Sequence, residues 1–307
     1  MTRIAVAQAA PRAFDAEESL RRACQWIERA ASERAELVVL PEAFLSGYPK
    51  GMDFGARVGT RSDAGRELYR RYHASAVDVP GPAVDTLAAL ARRCEIAVVI
   101  GVVERDGGTL YCTALTLGAD GSLVRRHRKL VPTGVERLIW GSGDGSTMQV
   151  ADLPIGRVGT AVCWENYMPL YRTHLYSQGV EFYCAPTVDD RDSWVSSMRH
   201  IAVEGRCFVL AACQFVTRTD LRGALDASPV VDPSAIMIRG GSCIVDPFGT
   251  LLSGPVYDCE ELLTADIDLD ATLRGKFDLD VVGHYARDDV FQLVVDERPT
   301  DDEPPPP

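Results

Sequence analysis

The sequence predicts a mixed α/β layered fold in a single domain. Three observations support this: short β-rich runs recur along the whole chain, several of them are apolar throughout, and helical patterns lie between some of them. Uniformly apolar strands are typical of sheets covered on both faces, and strands interleaved with helices are typical of layered folds. No linker rich in Pro, Gly or Ser and no internal repeat divides the chain. One domain is the simplest account.

The strands are predicted from runs of apolar and β-branched residues. Around Gly107-Gly108 and Asp120-Gly121 the runs follow one another across tight-turn pairs, which indicates antiparallel neighbours. In chain order the predicted strands are Ile4–Ala9, Glu36–Leu40, Ile96–Val103, Tyr111–Leu117, Val158–Val162, Glu181–Ala185, Phe208–Cys213, Ser242–Val245 and Leu262–Ile267.

Three helices are predicted from apolar residues at helical spacing. The first follows Asp15, which has Glu18 three residues later in a capping-box arrangement. Val84–Arg92 and Ser193–Arg206 show the same periodicity.

Two polar stretches and the tail interrupt these patterns. Ser46–Gly65 and Thr217–Gly241 are long for loops of a compact domain, so we expect them to be functional or to mediate assembly contacts. The acidic, proline-rich segment Glu297–Pro307 cannot pack a core and is predicted to be disordered. The domain is therefore expected to span residues 1–296.

Composition excludes several classes of protein. The 307 residues are 46% hydrophobic and 25% charged, which excludes collagen-like, low-complexity and wholly disordered chains. A net charge of −12 disfavours binding to nucleic acid, and the one basic cluster, Arg125–Lys129, is too short to override it. No secretory signal or membrane-spanning run is present.

The nine cysteines are odd in number and scattered, with no C-x-x-C pair and no His at zinc-site spacing. This usage fits a reducing compartment better than a disulfide framework. We therefore expect a cytoplasmic protein without a metal, a cofactor, a nucleic-acid partner or a membrane partner.

Three reactive side chains stand where strand-like runs end, the place where α/β sheets bind ligands. They are Glu42 after an apolar run, Lys129 before a turn, and Cys163 at the boundary between an apolar run and Trp, Glu and Asn. Taken singly, each has an ordinary alternative: a surface Glu, an exposed Lys or a core Cys.

Taken together, the three residues form a set suited to attack on a carbon–nitrogen bond. A thiol nucleophile needs a base, and a carboxylate with a raised pKa can serve. An ammonium group can stabilise charge that develops on the attacked group. None of these roles needs a metal.

The segments around these residues resemble the nitrilase (carbon–nitrogen hydrolase) superfamily. The resemblance rests on LPEAFLSGYP with Glu42, HRKLVPTGVERLIWGSGDGS with Lys129, and CWENYMPLYR with Cys163, in that order. It extends from Ile4 to about Gln292, and residues 128–146 together with the cysteine segment look like the nitrilase branch.

This resemblance implies a four-layer α-β-β-α sandwich and a nitrile-hydrolysing reaction. Cys163 would attack the nitrile carbon to give a covalent thioimidate, with Glu42 as general base and Lys129 stabilising the tetrahedral species. Glu136 matches a second glutamate that the superfamily places beside the lysine, where it would orient the catalytic groups; an ion pair on a helix surface is its alternative. Water attack would then give the carboxylic acid and ammonia, or an amide by-product.

Pocket and assembly expectations complete the prediction. Similar positions in relatives line the pocket at Tyr48, Trp164, Pro186 and Thr187, although plain packing would explain each equally well. The backbone N–H of Trp164 is also a candidate donor to the developing anion. Relatives pair subunits and many extend the pairs into spirals, so we expect a homodimer or a larger homo-oligomer.

Other functions remain open from the sequence alone. An amidase, a carbamoylase or a cyanide-converting enzyme would use the same Glu–Lys–Cys set on a different carbon–nitrogen bond. A non-catalytic scaffold would make the three residues a coincidence. A thiol redox protein would need a resolving cysteine near Cys163, and none is close in sequence.

Overall fold

The computed structural model describes residues 1–221, 224, 232 and 234–300. Within them the chain forms six helices and thirteen strands. The helices are α1 Ala16–Ser32, α2 Asp63–Ser75, α3 Pro82–Cys94, α4 Pro169–Ser177, α5 Asp192–Gly205 and α6 Asp270–Asp278. The strands are β1 Thr2–Gln8, β2 Leu37–Val39, β3 Ala97–Asp106, β4 Thr109–Leu117, β5 Leu123–Arg128, β6 Ala151–Leu153, β7 Gly156–Thr160, β8 Phe182–Thr187, β9 Phe208–Cys213, β10 Phe215–Thr217, β11 Ile236–Val245, β12 Leu251–Tyr257 and β13 Glu261–Ile267.

The strands form two mixed sheets. The first has the order β13-β1-β2-β3-β4-β5, and the second has the order β10-β11-β9-β8-β7-β6 with β12 paired to β11. In each sheet the three central strands are parallel: β1, β2 and β3 in the first, and β7, β8 and β9 in the second. Antiparallel strands flank both sets.

Successive side chains along the strands pack into different apolar clusters, and these clusters define four layers. In β1, Ile4 and Val6 belong to an apolar cluster shared with Phe182 and Leu210 of the second sheet. Ala5 belongs to a cluster with residues of α1 and α3. On the far side, the second sheet packs against α4 and α5. Because successive side chains of a strand point to opposite faces, the two sheets lie between two helical layers, and the predicted α-β-β-α sandwich is confirmed.

This arrangement brings several strand ends to one edge of the sandwich. Strands β2, β7 and β8 each end shortly before or at a candidate site residue: Glu42, Cys163 and Thr187. Strand β5 is antiparallel to β4, which is antiparallel to β3. It therefore runs in the direction of β3 and delivers Lys129 to the same edge.

The elements predicted from sequence are present, with boundaries shifted by a few residues. Asp15 caps α1 by accepting a hydrogen bond from the Glu18 backbone N–H at 2.9 Å. Both expected antiparallel neighbours are found, as β3–β4 and β4–β5. Seven elements were given no bounds from the sequence: α2, α4, α6, β5, β6, β10 and β12; of these, β5 was expected only as the strand after the Asp120-Gly121 turn.

The second polar stretch, Thr217–Gly241, contains a shorter loop than expected. Strand β11 begins at Ile236, so residues 236–241 of Thr217–Gly241 belong to a strand that pairs with β10 and β12. The interpretation of that part as loop is wrong: Ile236, Met237 and Ile238 begin a strand, and Gly240 and Gly241, both with positive φ, interrupt the pattern by which a strand is recognised. Residues 222–223, 225–231 and 233 lie outside the described residues.

The C-terminal boundary at residue 296 stays a prediction. Thr300 donates hydrogen bonds from its backbone N–H (3.0 Å) and its hydroxyl (2.7 Å) to Asp144 Oδ2, so this part of the tail contacts the domain. Residues 301–307, which hold most of the tail predicted to be disordered, lie outside the described residues.

Candidate active site

Cys163 stands in a tight turn just after β7. It opens a 3-10 turn over Cys163–Tyr167 and has a positive φ of 51°. That conformation is uncommon for a residue with a Cβ atom and stores strain. Asn166 holds the turn by donating from Nδ2 to the carbonyl oxygens of Ala161 (2.9 Å) and Cys163 (2.7 Å). The thiol is thereby fixed at the edge where the strands end.

Glu42 occupies a second tight turn, after β2. The turn packs directly on Gly101 of β3, where a Cβ atom would lie 2.6 Å from the Glu42 Cα. Only glycine permits this approach. Gln214 donates from Nε2 to the Glu42 carbonyl oxygen at 2.6 Å, which fixes the turn from the second sheet.

Lys129 links the two glutamates. Its Nζ donates to Glu42 Oε1 at 2.8 Å and to Glu136 Oε2 at 2.9 Å. Glu136 lies in the 3-10 turn Gly134–Leu138 and accepts two further hydrogen bonds, from the Thr133 backbone N–H (2.6 Å) and the Tyr48 hydroxyl (2.8 Å). The ammonium group is therefore held between two carboxylates with little freedom.

Thr187 contacts the sulfur from β8. Its hydroxyl accepts a hydrogen bond from the Asp189 backbone N–H at 2.9 Å and lies 3.2 Å from Cys163 Sγ. With one lone pair engaged by that N–H, the hydroxyl proton is directed at the sulfur. A donor in this position favours a thiolate over a thiol.

Burial dominates the electrostatics of the cluster. Glu42, Lys129 and Cys163 are at most 3% exposed. Burial raises the pKa of the Cys163 thiol, the Glu42 charge raises it further, and Lys129 and Thr187 oppose the shift. Burial likewise raises the pKa of the Glu42 carboxyl group against the opposing effect of Lys129. The resting cysteine is a protonated thiol beside a carboxylate of raised basicity.

The ammonium group keeps its proton. Burial acts to lower the pKa of Lys129, but the neighbouring carboxylates, that of Glu42 first, outweigh burial, and the pKa lies well above its ordinary value. Oε2 of Glu42 has no hydrogen-bond partner of normal geometry among the described residues. This buried oxygen therefore has a lone pair that is available to accept a proton.

Among the described residues, no group of three or more His, Cys, Asp or Glu side chains is arranged to hold a metal ion. At the site itself, the space between Glu42 and Glu136 is taken by the Lys129 ammonium group.

The structure brings seven of the eight predicted site residues into direct or indirect contact around Cys163. Trp164 is 42% exposed; its indole N–H donates to Asp189 Oδ2 at 3.0 Å, and the Arg191 guanidinium lies over its ring. Pro186 is buried in β8, paired with Ala212 of β9, and no polar contact joins it to the other seven. Roles in substrate binding stay predictions for all four pocket candidates.

Sequence reasoning missed a second group of residues around these. Cys112 in β4 donates a long thiol hydrogen bond to Glu42 Oε1 at 3.5 Å, and its carbonyl accepts the Lys129 N–H at 2.8 Å. Buried His127 and Glu165 form a pair at 3.0 Å. The available signals were the polar pair Glu165-Asn166, which begins two residues after the cysteine, and a histidine two residues before the lysine.

The sequence pattern of the carbon–nitrogen hydrolase family matches residues 3–274. The chain belongs to this family. It is accordingly a hydrolase that acts on carbon–nitrogen bonds. None of the helices among the described residues combines the length and apolar character needed to cross a bilayer.

Individual relatives extend over nearly the whole chain. An aliphatic nitrilase of Sinorhizobium fredii is 52% identical, over 97% of this chain and 96% of its own length. A bifunctional nitrilase/nitrile hydratase of Lupinus angustifolius is 50% identical, over 97% of this chain and 87% of its own. Nitrilase 2 of Arabidopsis thaliana is also 50% identical, over 97% and 90%.

Solved structures share the fold at low identity. The Caenorhabditis elegans NitFhit protein superposes with a TM-score of 0.73 at 22% identity, covering 96% of this chain and 67% of that one. Saccharomyces cerevisiae Nit3 superposes with a TM-score of 0.71 at 22% identity, covering 92% and 96%.

Proposed function

We propose that the protein is a nitrilase that hydrolyses an organic nitrile to the carboxylic acid and ammonia. The observation that carries the proposal is the buried Glu42–Lys129–Cys163 cluster in a chain about half identical to nitrilases along nearly its full length. A nitrile carbon is electrophilic but uncharged, and a small buried site with one nucleophile and one fixed cation suits it.

The first half of the reaction forms a covalent intermediate. The Cys163 sulfur attacks the nitrile carbon while Glu42 takes the thiol proton, because the raised pKa of the Glu42 carboxyl group makes it a stronger base than a surface glutamate. The proton then passes to the substrate nitrogen, which gives a thioimidate. Lys129 stabilises the charge on that nitrogen, and Glu136 holds Lys129 in place.

The second half consumes two water molecules. Glu42 deprotonates the first water, which adds to the thioimidate carbon to give a tetrahedral species bearing sulfur, oxygen and nitrogen. Loss of ammonia leaves a thioester, and a second water releases the carboxylic acid and regenerates the Cys163 thiol. The overall balance is one nitrile and two waters to one acid and one ammonia.

The same tetrahedral species can lose the thiol instead and release an amide. Some amide by-product is part of the proposal, because a relative at 50% identity is described as a bifunctional nitrilase/nitrile hydratase. The position of Lys129 relative to the departing nitrogen decides the ratio of the two products.

Pocket, assembly and location complete the proposal. We propose that four residues line the nitrile site: Tyr48, Trp164, Pro186 and Thr187.

The protein is proposed to be a cytoplasmic homodimer or larger homo-oligomer. Free thiols at all nine cysteines fit a reducing compartment. Large apolar side chains exposed near the C-terminus, among them Phe277 and Phe291, are suited to contacts between subunits. Light scattering after size exclusion tests the assembly.

The function is tested with a panel of aliphatic, aromatic and arylacetonitriles, their matching amides and cyanide. Ammonia, acid and amide are each quantified. Conversion of nitriles mainly to acid is expected. Hydrolysis of the amides with no turnover of any nitrile would move the protein to the amidase side of the family, and turnover of cyanide alone would make it a cyanide-converting enzyme.

A further inference from the structure

Glu165 is a fully buried carboxylate next to the site that the proposed reaction does not use. Its Oε1 accepts the backbone N–H of Leu130 at 2.7 Å, and its Oε2 accepts the backbone N–H of Val162 at 2.7 Å. Leu130 directly follows Lys129, and Val162 directly precedes Cys163. One carboxylate therefore binds the backbone next to both Lys129 and Cys163.

Glu165 thus forms a bridge between the backbones of Leu130 and Val162, and these two residues follow strands of different sheets. Lys129 follows β5 of the first sheet, whereas Cys163 follows β7 of the second. Backbone hydrogen bonds within each sheet do not fix one sheet against the other. Two short hydrogen bonds to a single planar carboxylate do fix them, at the point where the reacting groups face each other.

The His127 ring also contacts the Glu165 carboxylate. Its Nε2 lies 3.0 Å from Glu165 Oε2 and 3.2 Å from the Tyr171 oxygen, and the Tyr171 hydroxyl proton is donated to the Thr160 carbonyl oxygen at 2.7 Å. Both neighbours of Nε2 are therefore acceptors, which places a proton on that nitrogen. The other ring nitrogen contacts the Thr147 hydroxyl at 3.0 Å.

The bridge is charged as well as rigid. Burial acts to raise the pKa of Glu165, but the adjacent His127 imidazole and the two backbone N–H groups outweigh burial, and the pKa is lowered. An ionised carboxylate makes shorter and stronger hydrogen bonds than an amide of the same shape. The Glu165→Gln side chain also carries an NH₂ group that cannot accept, so one of the two backbone N–H groups would lose its partner.

We propose that Glu165 is a positioning residue that sets the separation of the Cys163 sulfur from the Lys129 ammonium group and thereby the ratio of acid to amide released. The inference rests on the proposed nitrilase reaction, in which Lys129 holds the nitrogen that must depart as ammonia. A displaced ammonium group stabilises that nitrogen less well, so more of the tetrahedral species expels the thiol and leaves as amide.

The test compares Glu165→Gln with the wild type by kcat, KM and acid-to-amide ratio. Misplacement of reacting groups by about 1 Å costs about 10²-fold in rate. We expect kcat to fall by about that factor, KM to change by less than about threefold, and the share of amide to rise. Glu181→Gln is the matched control: Glu181 also accepts a backbone N–H, from Arg157 at 2.9 Å, but at the opposite end of β8.

A second variant and a second readout separate positioning from loss of folding. His127→Asn leaves both backbone N–H groups their acceptors, and we expect a smaller loss of kcat with the same shift toward amide. The rate at which iodoacetamide alkylates Cys163, followed on its peptide by mass spectrometry, should fall in Glu165→Gln while alkylation of the exposed Cys259 stays unchanged. Thermal unfolding identifies any variant that does not fold.

A folded Glu165→Gln variant with kcat and product ratio within about twofold of the wild type would overturn the inference. If Glu165→Gln does not fold, an unchanged product ratio in His127→Asn would overturn it. If the wild type itself turns over no nitrile, the proposed function fails, and the alkylation rate of Cys163 then decides the positioning role alone.

Discussion

At the scale of single residues, the candidate site is a compact charge cluster in which burial raises the pKa of Glu42 and of Cys163. Lys129 sits 2.8 Å from Glu42 and 2.9 Å from Glu136, with almost no exposure to water. Two carboxylates and one ammonium group leave a net negative charge, so the Cys163 thiol resists ionisation. In the proposed reaction, formation of the thiolate is therefore coupled to its attack on the nitrile carbon.

Tyr48 offers a residue-scale prediction. Its hydroxyl donates to Glu136 at 2.8 Å, and a hydrogen bond to a charged group contributes about 1.5–3 kcal/mol. We expect Tyr48→Phe to lower kcat about 10-fold by loosening Glu136 and Lys129, with KM nearly unchanged. Steady-state kinetics on the best nitrile measures both constants.

The control is Tyr69→Phe, which removes a hydroxyl bonded to the Gly108 carbonyl oxygen at 2.8 Å, away from the cluster. A higher KM with unchanged kcat in Tyr48→Phe would instead assign the hydroxyl to substrate binding.

The core of the candidate site was predictable from sequence, and its surroundings were not. Glu42, Lys129 and Cys163 each follow a strand-like run, and such ends meet at one edge of a layered fold. The pairing of His127 with Glu165 spans 38 residues and two sheets. Only tertiary packing brings them together, and no sequence pattern around either residue predicts that the two side chains form a pair.

At the scale of elements, the turn after β7 determines how the thiol is presented. Cys163 has a positive φ, and Asn166 satisfies two carbonyl groups that the turn leaves without helical partners. A regular continuation of the strand would point the side chain at this position into a sheet face instead.

Replacement of Asn166 tests this turn. Asn166→Ala removes two buried hydrogen bonds, each with a net contribution of about 0.5–1.5 kcal/mol, so the free energy of unfolding should fall by about 1–3 kcal/mol. We also expect kcat to fall, because the strained Cys163 conformation loses its support. Urea unfolding and kinetics measure the two effects.

Gln178→Ala is the matched control, since the Gln178 side chain also bonds backbone groups outside the cluster, chiefly the Met148 carbonyl (3.1 Å) and the Val150 N–H (2.9 Å), besides His174. Equal stability loss with equal loss of kcat in both variants would count against a specific role for the turn.

Elements were predictable where a pattern was strong. The apolar central strands and α1, α3 and α5 were identified. Strand β5, with the sequence LVRRHR, was expected only as the strand after the Asp120-Gly121 turn and was given no bounds, because edge strands are often charged; two of its three arginines, Arg126 and Arg128, pair with Glu104. Helix α2 buries only Gly65 and Tyr72, so its apolar stripe is too thin to detect.

At the scale of the whole molecule, buried acidic groups link stability to alkaline pH. Burial raises the pKa of the six fully buried thiols, those of Cys112, Cys163, Cys184, Cys207, Cys213 and Cys243. In the unfolded chain a thiol ionises near pH 8.5. A group whose folded pKa is raised stabilises the fold fully below its unfolded pKa, and the stabilisation is lost as pH rises toward the folded value.

The thermal midpoint should therefore fall steeply above about pH 9. Each buried thiol removes about 1.4 kcal/mol of stability per pH unit above its unfolded pKa. Buried tyrosines such as Tyr72 and Tyr183, whose pKa burial also raises, add to the loss at still higher pH. Calorimetry at pH 7.5, 9 and 10 under reducing conditions measures the trend. A midpoint that does not change from pH 7.5 to 10 would contradict it.

The central claim is that Cys163 carries the reaction, and one measurement tests it most directly. Turnover of the best nitrile is compared in the wild type, in Cys163→Ala and in Cys24→Ala, which removes a half-buried thiol on α1. We expect Cys163→Ala to lose activity by at least about 10³-fold with an unchanged thermal midpoint, while Cys24→Ala keeps wild-type kinetics. Activity within about 10-fold of the wild type in folded Cys163→Ala would contradict the account.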